Sequence, residues 1–96
     1  MSVPALYVTE ETPLQEKLVY EHWVFPPCNF HWLIAELDEK EKLAFGYAFL
    51  NDAQNAEWGY ISIAELESVG AFKDRAFTPK KAGEAIKQIL NGGEKQ

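Results

Sequence analysis

Two neighbouring stretches, Tyr20 to Phe25 and Phe30 to Phe49, carry large apolar side chains at both odd and even positions. Successive side chains of a strand point to opposite faces, so a sheet built from these stretches is apolar on both sides. A solvated sheet needs only one such face. The second must therefore meet a helix, another subunit or a partner, and that requirement restricts the chain to a layered fold.

The stretches divide at turn signals. Leu18 to Phe25 reads as a first strand, Pro26-Pro27-Cys28-Asn29 as a proline-stiffened turn, and Phe30 to Leu37 as a second strand. A four-residue loop sets Phe25 opposite Phe30 and Trp23 opposite Trp32, aromatic pairs that help to fix the register. The charged loop Asp38 to Lys42 leads into a third strand, Leu43 to Leu50. Pairing Leu37 with Leu43 places Leu33 opposite Tyr47 and His31 opposite Phe49, which with Tyr20 and Val24 form one bulky face. The other face then holds Trp23, Phe25, Phe30, Trp32 and Ile34 beside the small residues Ala44, Gly46 and Ala48, with Glu21 and Glu36 on the same side.

Beyond a polar loop at Asn51 to Glu57, Trp58 to Ile61 reads as a fourth strand. Ser62-Ile63-Ala64-Glu65 fits a capping box, with Ile61 and Leu66 spaced as a hydrophobic staple. It opens a short helix over 63–69, closed by Gly70 as a left-handed C′ residue. After an extended piece at Arg75 to Phe77, Thr78 caps and Pro79 begins a second helix over 79–90, stopped by Asn91-Gly92-Gly93. The expectation is an α+β domain: a small antiparallel four- to five-stranded meander with these two helices. Residues 1–17 form a lead-in with a helical turn at Leu14 to Lys17, and residues 91–96 fray.

With 96 residues the chain forms one domain, burying roughly 65% of its unfolded surface. No run reaches the ~18 apolar residues of a membrane span, and the first residues lack a basic and then apolar signal, so a cytoplasmic protein is expected. The single cysteine, Cys28, forms no internal disulfide. Charge is uneven: residues 1–72 hold 12 acidic and 3 basic residues, net −9, while residues 73–96 hold 3 acidic and 6 basic, net +3. An acidic body disfavours broad nucleic-acid binding, which needs clustered Lys and Arg, and suits a basic protein partner.

The order Trp32 with Glu36-Leu37-Asp38, Phe45-Gly46-Tyr47, Glu57-Trp58-Gly59-Tyr60-Ile61-Ser62 with Glu65-Leu66-Glu67, then Asp74 with Phe77-Thr78-Pro79, resembles the bacterial family called domain of unknown function 2958. The likeness covers roughly residues 18–80, and Glu57 to Glu67 is its specific part. Where that family tends to show Arg-Asp, this chain has Lys73-Asp74. The resemblance implies no established activity, and it implies a setting among plasmids and mobile elements.

Chemistry-bearing residues are sparse. Cys28 with His22 and His31 invites a thiol or metal site, but the histidines are diagonal neighbours and Cys28 lies in the turn without a second thiol. Glu65 and Glu67 open a helix whose dipole explains them, and no phosphate loop or hydrolase triad occurs. No catalytic residue, metal site or cofactor is therefore assigned. An anion site is expected from Lys73, Arg75, Thr78, Lys80 and Lys81 around the start of the last helix.

Three function classes follow. The leading one is a non-catalytic protein-interaction module, with a second copy of this chain among the candidate partners. Its surface is either the aromatics Trp23, Phe25, Phe30 and Trp32 or the acidic hairpin of Glu36, Asp38, Glu39 and Glu41, the latter extending to an inhibitor that mimics nucleic acid. The alternatives are single-strand binding through the same aromatics and a small enzyme of unknown type. If both helices pack on one side, the uncovered aromatics are the functional surface; if they divide, that surface vanishes.

Overall fold

The computed structural model describes residues 3–94. Its elements are β1 (Leu18–Val19), β2 (Glu21–Phe25), β3 (Phe30–Asp38), β4 (Leu43–Leu50), β5 (Glu57–Ser62), α1 (Ile63–Ser68), β6 (Phe72–Lys73), β7 (Lys80–Lys81) and α2 (Ala82–Glu94). Five antiparallel strands run in the order β5-β4-β3-β2-β6, and β1 with β7 forms a separate two-stranded antiparallel pair. The fold is α+β with an open sheet.

The central hairpin has the expected register. Trp23 faces Trp32 and Phe25 faces Phe30, joined by a 3-10 turn at Pro26–Cys28 that Asn29 closes in the left-handed region at φ 58°. Leu33 lies opposite Tyr47 and His31 opposite Phe49, also as expected. The register then slips: Ile34 pairs with Gly46 but Glu36 pairs with Phe45, so Ala35 is the extra residue of a β-bulge. Leu37 consequently pairs with Ala44 rather than Leu43. The bulge also corrects the assignment of Glu36, which lies on the face opposite Trp32, across from a Phe45 ring stacked on Trp58.

The two helices divide between the faces. Ile63 and Leu66 of α1 pack with Trp23, Trp32, Ile34, Ala44, Ile61 and Ala71, whereas Ala82 and Ala85 of α2 pack with Val19, Leu33 and Ala35 on the other side. Leu33 and Ile34, adjacent on β3 and pointing opposite ways, are both fully buried, each contributing roughly 1.5–3 kcal/mol. At Gly46 a Cβ would lie 1.9 Å from the Leu33 carbonyl oxygen, so only glycine fits there.

Local signals explain α1 well. The Ser62 hydroxyl accepts from the Glu65 amide at 3.2 Å, and Gly70 sits at φ 94° two residues past the helix. The second helix departs from expectation at both ends. Lys80 and Lys81 pair with Val19 and Leu18, and the Ala82 amide donates to the Lys17 carbonyl at 2.8 Å, so α2 starts at Ala82 rather than Pro79. It continues past Asn91 through Gly92 and Gly93 to Glu94; residues 95 and 96 of the expected frayed tail lie outside the described residues.

Competition for partners explains two further differences. The expected first strand breaks at Tyr20, because β1 pairs with β7 while β2 pairs with β3 and β6. The last strand of the large sheet is Phe72–Lys73, not Arg75 to Phe77. The lead-in is a strap across one end of the sheet: the Leu37 amide donates to the Pro4 carbonyl at 2.8 Å, and the Tyr7 amide donates to Glu36 Oε1 at 2.8 Å. Its 3-10 turn occupies Leu14–Glu16.

Candidate functional site

The register that sets Trp23 against Trp32 also sets His22 against Leu33 and Val24 against His31. His22 and His31 are thus diagonal neighbours on one face, within reach of long or aromatic side chains. Their rings meet directly, His22 Nε2 lying 2.9 Å from His31 Nδ1. Because β6 pairs with the free edge of β2, the Asp74 amide donates to the His22 carbonyl and the Asp74 carboxylate reaches His22 Nδ1 at 3.3 Å. At the other end His31 Nε2 lies 2.9 Å from Asn29 Oδ1, and Asn29 Nδ2 donates to Asn51 Oδ1 at 3.0 Å. A single hydrogen-bonded chain therefore runs Asp74–His22–His31–Asn29–Asn51.

The proton count of this chain is constrained. Asp74 and Asn29 Oδ1 only accept, so their two junctions with the rings, and the junction between the rings, each require one N–H. Three protons on two imidazoles make a monocation. A neutral pair has two, and it completes the chain only if the Asn29 and Asn51 amides turn over, Asn29 Nδ2 then donating to His31. Burial depresses the pKa of both histidines below the ordinary 6.5; at His22 the Asp74 bond and charge act upward while Lys80 acts downward, and at His31 the charge of His22 adds to the lowering. The neutral pair is the form favoured at neutral pH, and the third proton enters only below the ordinary 6.5.

Beside the chain is a cleft of about 510 Å³ between α2 and the sheet. Leu33, Phe77, Ala85 and Ile89 give it apolar walls, and Lys80 and Gln88 add polar groups. The Phe77 ring tilts against His22 with centroids 5.6 Å apart, and Lys80 Nζ lies 5.0 Å from the Phe77 centroid. Asp74 is committed internally: Oδ2 faces His22 and Oδ1 accepts from the Ala76 amide at 3.0 Å. Lys80 donates to Gln88 at 3.2 Å and has no carboxylate partner among the described residues. A mostly apolar cleft of this size with a few placed polar groups is the usual form of a ligand site.

All four ring nitrogens lie within the chain, so neither imidazole has a free nitrogen directed at a bound molecule. Cys28 is exposed in the turn and takes no part in the lining. Among the described residues no group of three His, Cys, Asp or Glu side chains is arranged to hold a metal ion. The imidazole nitrogens are engaged with one another and with Asp74 and Asn29.

The residues singled out in the sequence do not converge. Trp23 and Trp32 are 6% and 8% exposed beneath α1, so the aromatic surface proposed for a partner or for stacking bases is covered, with Phe25 and Phe30 half-buried beside it. Glu36 is buried on the opposite face against the strap. Asp38 accepts from the Lys40 and Glu41 amides of its own loop, and Glu39 and Glu41 are exposed there among lysines, Lys42 pairing with Glu67 at 3.0 Å. That mixture interrupts the continuous acidic surface a nucleic-acid mimic requires. The anion-site residues separate too: Lys73 pairs with Glu21, Lys81 pairs with Glu16, and Arg75 and Thr78 are exposed away from any helix start. Only Lys80 of that set reaches the cleft.

The sequence reading passed over the site because it requires Asp74, 52 residues from His22, to arrive through a two-residue strand. Its one legible signal was the shared face of His22 and His31. Comparison with protein-family models, curated proteins and solved structures gives no match to this chain.

Proposed function

We propose that this protein is a non-catalytic binding module whose ligand occupies the cleft between α2 and the His22–His31 face of the sheet. The observation that supports this most is the commitment of every ring nitrogen to the Asp74–His22–His31–Asn29 chain beside a mostly apolar cleft. Such a wall is preorganised for recognition and has no spare base for catalysis. No helix among the described residues is long and apolar enough to cross a membrane, and a cytoplasmic site of action is part of the proposal. Screening small aromatic fragments by methyl and amide NMR tests the reading. Shifts should cluster at Leu33, Phe77, Ala85 and Ile89; shifts confined to other surfaces would refute it.

A second reading, an interaction module for another protein, is favoured by a different region. β5 is an edge strand with no neighbour on its outer side among the described residues. Next to it a groove of about 450 Å³ combines Tyr7, Phe45 and Tyr60 with Glu10 and Glu11. An edge flanked by aromatics and carboxylates suits an extended basic segment of a partner added as a sixth strand. Hydrogen exchange at Glu57 to Ser62 in the presence of a lysine-rich strand peptide would distinguish it, unchanged rates counting against it. The resemblance of Glu57 to Glu67 to the domain of unknown function 2958 family, with its mobile-element setting, belongs to the same proposal and adds no activity.

A further inference from the structure

Of the two charged groups that line the cleft besides the imidazoles, Asp74 is held by hydrogen bonds within the fold and Lys80 has no carboxylate partner among the described residues. Asp74 has both oxygens engaged, by His22 and by the Ala76 amide. Lys80, on β7, donates to the neutral Gln88 and lies over the face of Phe77. From α2 the cleft receives Gln88, Ala85 and Ile89, none of them charged; from the turn and from β3 it receives Asn29, His31 and Leu33. A cation beside apolar walls recognises an anion attached to an apolar body, because the anion finds a charge-assisted donor while the body leaves water.

Resting on the cleft as the ligand site, we infer that its ligand is a small anion with an apolar or aromatic body, that Lys80 holds the anionic group, and that binding is coupled to proton uptake by the His22–His31 pair. The coupling follows from position. Lys80 Nζ lies 5.0 Å from the centroid of the same Phe77 ring whose centroid is 5.6 Å from that of His22, so in the free protein the Lys80 charge opposes protonation of His22, in the same direction as burial. An anion seated on Lys80 cancels that opposition and adds attraction. The pair then accepts its third proton, which completes the three junctions when Asn29 Oδ1 is turned toward His31. Since the bound form takes up a proton, affinity rises as pH falls, by at most about tenfold per pH unit for one linked proton.

The probe is benzenesulfonate, which stays anionic across the range, compared with neutral benzamide and with benzylammonium at equal concentrations. Binding to the intact protein is followed by NMR of the Leu33 and Ile89 methyls and of the histidine ring nitrogens from about pH 8 to about pH 5. Benzenesulfonate should shift the cleft methyls, bind more tightly toward acid and raise the apparent pKa of the pair. Lys80→Met should weaken it by roughly tenfold or more. His31→Gln, which removes one titrating ring, should flatten the pH dependence. Benzenesulfonate binding that is indifferent to pH or to Lys80→Met would overturn the inference. Binding of benzamide or benzylammonium in the cleft without benzenesulfonate would overturn it while leaving the cleft as a ligand site. Silence of the cleft methyls toward all three probes would refute both.

Discussion

Two polar networks lie on the α2 side of the same sheet, and they are built for opposite ends. Around Glu36 everything is closed: the Tyr7 and Thr9 amides, the Thr9 hydroxyl and Lys17 surround the carboxylate, and the Glu36 and Lys17 side chains are 4% and 5% exposed. Around His22 the wall is open, with His22 at 14% and Asp74 at 38% exposure beside a cleft. The first network is one a strap cannot leave without abandoning a buried charge. The second contains two histidines whose protonation can change beside an open cleft. The bulge at Ala35 separates them, turning Glu36 toward the strap while Leu33 continues the cleft wall. The contrast is between polar groups that fasten a strap in one place and polar groups that line an open cleft in another, on one face of one sheet.

The largest expected effect lies in the closed network. Glu36→Ala leaves the Lys17 charge buried without its carboxylate and should cost about 3–5 kcal/mol, measured by urea unfolding. The paired change Lys17→Met with Glu36→Leu should recover much of that loss, showing that the penalty comes from the orphaned charge. A cost below about 1 kcal/mol for Glu36→Ala would erase the distinction between the networks.

Acid should separate the two in pH. Both histidine pKa values are depressed, so the unfolded chain binds more protons, and stability should fall as pH drops below 6.5. Burial raises the Glu36 pKa, but the Thr9 hydroxyl, the Tyr7 and Thr9 amides and Lys17 together hold it below 4.5; its contribution is therefore present above 4.5 and lost on further acidification. Thermal melts across pH should show two losses, and His22→Phe should remove part of the upper one only. Smallest of all is Asn29→Gly, which keeps the left-handed turn at φ 58° and deletes the bond to His31, at about 0.5–1.5 kcal/mol by the same melts.

Much of the frame was legible because it is local. The Trp23–Trp32 register follows from a four-residue turn, and α1 follows from Ser62, Glu65 and Gly70. The division of the helices between the faces answers the demand posed by the two-sided apolar strands. What escaped was set by competition between distant segments. Nothing in Lys80-Lys81 announces a strand until Leu18–Val19 is available to pair with it, and nothing around Ala35 announces a bulge. Both cases moved candidate residues: Lys81 went to Glu16 and Glu36 to the strap. The two histidines were visible as face-sharing neighbours, but the Asp74 that joins them to a cleft was not.

The most direct test of the central claim, that His22 and His31 act as one proton-sharing wall of a ligand cleft, is an acid titration followed by ¹⁵N NMR of the ring nitrogens and of the Asn29 and Asn51 side-chain amides. Both rings should titrate below 6.5 in a shared transition, and the two asparagine amides should shift at the same midpoint as the third proton enters. Independent titration of the two rings near the ordinary value, with the asparagine amides unmoved, would contradict it.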